Sequence, residues 1–77
     1  MEEIKEKMLM LENCYEAIKH KLSQDDIDEI EWRSEKIRKT IYILDEGKYQ
    51  NDDEKLSQIA FIKHHQNIVY EILKKGE

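Results

Sequence analysis

Residues 27–44 read Ile27-Asp28-Glu29-Ile30-Glu31-Trp32-Arg33-Ser34-Glu35-Lys36-Ile37-Arg38-Lys39-Thr40-Ile41-Tyr42-Ile43-Leu44, and one line of positions, 27, 30, 34, 37, 41 and 44, is apolar except at Ser34. Steps of three and four follow the 3.6-residue turn of an α-helix and gather a narrow stripe on one side, whereas a half-buried strand would alternate at every second residue. The stripe predicts a helix over residues 24–46 whose seam packs against another helix in coiled-coil fashion.

Toward the N-terminus the same device recurs at Ile4, Met8, Leu11, Tyr15, Ile18 and Leu22, which predicts a first helix over residues 2–22. Leu22 and Ile27 are five apart, so the phase breaks between them. Ser23-Gln24-Asp25-Asp26 supplies a hydroxyl N-cap and a carboxylate at the third helical position. A turn therefore belongs near Ser23. The competing reading is one continuous helix through residue 46, because neither Gly nor Pro forces a stop there.

Toward the C-terminus, Asp45-Glu46-Gly47 offers glycine where a left-handed residue ends a helix, and a polar loop follows. Asp52 or Asp53 is expected to cap a third helix over residues 53–75, with Lys74 and Lys75 in its last turn and Gly76 beyond. That helix has two apolar faces. Leu56, Ile59, Ile62, Gln66, Val69, Tyr70 and Leu73 form one; Phe61, His65, Ile68 and Ile72 form another about a third of a turn away. More than half its circumference is apolar, as in a helix with partners on two sides.

The fold expected is an all-α, small antiparallel three-helix bundle, a single domain over residues 1–77 with a coiled-coil-like hairpin of the first two helices. Composition agrees: of the 77 residues 40% are charged and 39% apolar, with two Gly, no Pro and one Cys, which excludes a collagenous chain, a turn-rich sandwich and a disulfide scaffold. The lone thiol, Cys14, and the lack of a signal-like apolar run after Met1-Glu2-Glu3 give the expectation of a cytoplasmic protein. No run approaches the ~20 apolar residues of a membrane span, so no membrane partner is expected.

The chain carries a net charge of -5, and residues 24–46 contribute -4 of it. The acids gather at Asp25, Asp26, Asp28, Glu29, Glu31 and Glu35, where the helix dipole favours them; Lys36, Arg38 and Lys39 follow. Direct nucleic-acid binding is not expected, since net negative charge opposes phosphate attraction and the basic residues do not line one face. The acidic end would instead suit a nucleic-acid mimic that inhibits a basic protein surface.

No motif for catalysis, phosphate binding or metal binding is present. His64 and His65 are adjacent and diverge on a helix, and Glu16 with His20, at i,i+4 spacing, reads as a surface ion pair. Cys14 is expected as a small buried thiol and Ser34 as a packing irregularity. A slender bundle also leaves little space for the ~300 Å³ pocket that a ligand usually needs. The chain is therefore read as non-enzymatic, with no cofactor.

Interaction is what remains. With Ile27 at heptad position a, Trp32 falls at f, opposite the seam, and Ile43 lies on the same outward line near Lys36 and Lys39. Tryptophan beside cations is the kind of residue enriched at binding hot spots. The expected partner surface is Trp32, Ile43, Lys36 and Lys39 with the acids Asp25, Asp28 and Glu29. A chain below ~80 residues seldom gains more than ~3 to 5 kcal/mol from its own core, so a homodimer is expected through Phe61, His65, Ile68 and Ile72 of the third helix, with the second helix as a further contact. The function expected is a regulatory or inhibitory adaptor that binds another protein through helices. The alternatives are a purely structural self-assembling coiled-coil module and the nucleic-acid mimic.

Overall fold

In the computed structural model, which describes residues 1–76, the elements in chain order are α1 (Glu2–Ile18), a 3-10 turn (Lys19–Lys21), α2 (Gln24–Asp45) and α3 (Asp52–Gly76). Among these residues there is no strand. The α-helix of α1 stops four residues earlier than its stripe suggests. Leu22 takes extended backbone, so the chain turns there, and the continuous-helix reading is excluded. The tightened turn folds Ile18 and Leu22 over the end of α3, so close that a Cβ on Gly76 would lie 2.7 Å from Leu22 Cδ2.

Ser23 caps α2 as expected, its hydroxyl accepting from the Asp26 amide at 3.1 Å. At the other end Gly47 has φ +67; its amide donates to the Leu44 carbonyl and that of Lys48 to the Ile43 carbonyl, at 3.1 and 2.9 Å. This is the paired hydrogen bonding of a Schellman stop, and glycine adopts its left-handed centre without a Cβ clash. The cap of α3 differs from expectation. Asn51 Oδ1, rather than Asp52 or Asp53, accepts from the Glu54 amide at 2.8 Å, while Glu54 accepts from the Gln50 amide at 3.2 Å. The helix consequently begins one residue earlier, and it includes Gly76.

The three helices run up, down and up in a bundle 42 Å long. Opposed directions of α1 and α2 show in the pairs Lys5–Asp45, Glu12–Arg38 and Tyr15–Glu31. Parallel α1 and α3 show in Ile4 with Gln66 near one end and Ile18 against Gly76 at the other. One half of the core joins Ile4, Met8, Ile37, Leu44 and Ile62; the other joins Leu11, Ile30, Val69, Ile72 and Leu73. Gln66, only 1% exposed, donates from Nε2 to the Ile4 carbonyl at 3.0 Å, which satisfies a polar group that would be costly to bury alone.

The closest backbone approaches are those of α3 to α2 and to α1, rather than of α1 to α2. The hairpin seam is thus shared three ways, with α3 in the crease. Both apolar faces of α3 consequently find partners inside the chain. His65 and Ile72, expected on an outward self-association face, are buried, and Ile68 is half-buried; of that set only Phe61 is exposed. Leu56, expected in the core, is exposed, because Tyr49 and Ile59 cover that end of the core.

Candidate interaction surface

Trp32 projects from the middle of α2, 54% exposed, on the side opposite the α1 contact. Four neighbours fix its position. The ring meets His65 of α3 edge-on, with centroids 5.9 Å apart, while Arg33 and Lys36 lie 5.5 and 5.3 Å from its centroid. His65 in turn packs against Phe61 at 4.4 Å. Cations over an indole face gain from its quadrupole, and aromatic pairs at such distances add to simple burial. The indole is therefore exposed and held at once.

Arg33 organises this cluster. Its Nη1 reaches His65 Nδ1 at 2.9 Å, and its Nε and Nη2 reach Glu29 Oε1 at 3.1 and 3.0 Å. A guanidinium only donates, so His65 Nδ1 accepts and the ring proton resides on Nε2. Burial holds the His65 pKa below its ordinary value, assisted by the charges of Arg33, His64 and Lys36. A neutral His65 keeps this contact. Sequence reasoning paired Arg33 with Glu29 as a surface ion pair and missed its reach across to α3; its place beside the only Trp was the available signal.

Of the expected partner surface, Asp25, Asp28, Glu29, Trp32, Lys36 and Lys39 are exposed along α2, and Ile43 is half-buried. The structure brings them together as one ridge. Acids occupy the N-terminal half, the indole the centre and lysines the C-terminal half. Asp25, Asp28 and Lys36 enter no ion pair among the described residues, and Lys39 reaches only Glu35, at 3.7 Å in an exposed position.

The other face carries a groove between α1 and α2, about 510 Å³, floored by Leu11, Ile30 and Val69 and rimmed by Glu12, Tyr15, Glu35 and Arg38. It exceeds the space expected of so slender a bundle. Ser34 lines it, so the interruption in the stripe is where the seam opens. Tyr15 donates to Glu31 across the groove at 2.7 Å, and its hydroxyl pKa is pushed up to about 12 by burial first and by Glu31 second.

Cys14 is half-buried beside the core rather than enclosed by it. His20 falls in the 3-10 turn, outside the helix that would align it with Glu16, and no ion pair joins the two among the described residues. Among those residues no group of three or more His, Cys, Asp or Glu is placed to hold a metal ion, and no helix is long and apolar enough to cross a membrane. The chain matches no protein-family model, no curated protein and no solved structure.

Proposed function

We propose that this chain is a non-catalytic protein-interaction module of the cytoplasm, a small regulatory or inhibitory adaptor that docks another protein on the outer ridge of α2. The observation that supports it is the exposed, immobilised Trp32. A large aromatic already held by His65, Arg33 and Lys36 loses little conformational entropy when a partner covers it, and such residues dominate interface energetics.

The test is affinity capture from the native host with the wild-type chain and with Trp32→Ala. The variant should lose the captured protein while its helical circular dichroism is unchanged; equal capture would refute the assignment. A second reading, a self-assembling structural module, is favoured by the opposite charges on either side of Trp32. Sedimentation separates the two, since only self-assembly requires a stable oligomer of the chain alone.

A further inference from the structure

The charges on the α2 ridge are arranged symmetrically about the indole. Asp28 and Lys36 stand four residues before and after Trp32, and Asp25 and Lys39 stand seven before and after. Steps of four and seven return to nearly the same helix azimuth, so all five side chains share one line. We propose that the occupant of this ridge is a second copy of the chain, its α2 crossing the first antiparallel on a two-fold axis at Trp32. The proposal rests on the ridge being a docking surface and identifies what docks.

An antiparallel pair with that axis sets each residue opposite the one equally distant on the other side of Trp32. Asp25 then faces Lys39 of the second copy, Asp28 faces Lys36, and the symmetry repeats both contacts. Isologous pairing of this kind closes on itself and leaves no free end. A parallel pair in register would instead set Asp25 on Asp25 and Lys36 on Lys36, which repel.

The charges concerned are available. Asp25, Asp28 and Lys36 have no ion-pair partner among the described residues of their own chain, and that of Lys39 is long and exposed. The acids that would meet unfavourably, Glu29 and Glu35, stand three residues on either side of Trp32. Arg33 already holds the first, and Arg38 and Lys39 hold the second. At the centre the two indoles, flanked by the exposed Phe61 of α3, supply the apolar contact. The dimer face is therefore on α2, since most of the α3 face is sealed within the chain. A client docking on the same ridge would compete with the second copy.

Sedimentation equilibrium at low salt, up to several hundred micromolar, tests this with four proteins. The wild type should dimerise, and Trp32→Ala should be monomeric. Asp25→Lys with Asp28→Lys, and separately Lys36→Glu with Lys39→Glu, should each weaken self-association by about tenfold or more. An equimolar mixture of the two double variants should recover the dimer, because each then meets its charge complement. That recovery also shows that both variants are folded. A wild type monomeric throughout, double variants that dimerise like the wild type, or a mixture that stays monomeric would each overturn the pairing. A monomeric chain that still loses a captured client on Trp32→Ala overturns the pairing and leaves the docking ridge standing. Loss of neither contact in that variant overturns both.

Discussion

The contact between α2 and α3 is filled at its centre by Ile37 and Ile62, both without exposed surface, whereas α1 and α2 part over a groove of about 510 Å³ bridged by polar side chains. Their stripes carry the same three-and-four spacing. Only the residue at one position differs in kind: Ser34 stands where α2 otherwise places an isoleucine or leucine. On the closed side Ile37 meets branched apolar chains from two helices. On the open side, Arg38 reaches Glu12 at 3.6 Å and Tyr15 reaches Glu31 at 2.7 Å above the gap. Periodicity thus selects which residues turn inward, while side-chain volume decides whether two inward faces close.

The largest blow to the closed side is Ile37→Ala, expected to cost about 3 kcal/mol through lost burial and an unfilled cavity. That is much of the stability available to so short a chain, and urea melts followed by circular dichroism should show most of the cooperative transition lost. A cost under about 1 kcal/mol would show that the centre repacks and that the contrast between the seams is weaker than the static arrangement suggests.

Gln66→Ala should cost about 2 kcal/mol, combining a small cavity with loss of the amide donated to the Ile4 carbonyl. Because that bond ties α1 to α3, the same melts should show destabilisation without a change in helical content at zero denaturant. A neutral outcome would mean that α1 is positioned by its apolar stripe alone.

On the open side, Tyr15→Phe should cost about 1 kcal/mol, the usual net value of one hydrogen bond. Its pH dependence has a definite sign. The Tyr15 pKa in the folded chain, about 12, lies above the ordinary 10, so its contribution is complete below pH 10 and is lost as pH rises through about 12. Stability measured across that interval should fall less steeply in Tyr15→Phe than in the wild type.

The smallest effect expected is a gain. Ser34→Leu should stabilise by about 0.5 kcal/mol, since leucine adds buried apolar surface over Ile30 and Val69 and has the better helix propensity. Thermal denaturation would detect it. A loss instead would show that the groove is held open by the charged rim of Glu12, Glu35 and Arg38 rather than by the short side chain.

Much of the bundle was legible in the sequence because its signals are local. The Ser23 cap, the Gly47 stop and the inward placement of Ile4, Met8, Leu11, Ile30, Ile37 and Leu44 each depend on residues within one or two turns of the chain. The cap of α3 was misplaced by one or two residues because Asn51, Asp52 and Asp53 are all competent acceptors. Backbone geometry chose among them. The ridge residues of α2 were legible as a line on one helix; the fixing of Trp32 was not, because His65 and Phe61 reach it from α3.

The sequence by itself determined three amphipathic helices, their order, and the outward direction of Trp32, since spacing along a helix fixes azimuth. Only the tertiary structure decided which face meets which. Azimuth says that a side chain turns inward without naming its neighbour, so the burial of His65 and Ile72 against the chain's own helices, the gap at Ser34 and the reach of Arg33 to His65 depend on how three rods settle around residues of unequal volume.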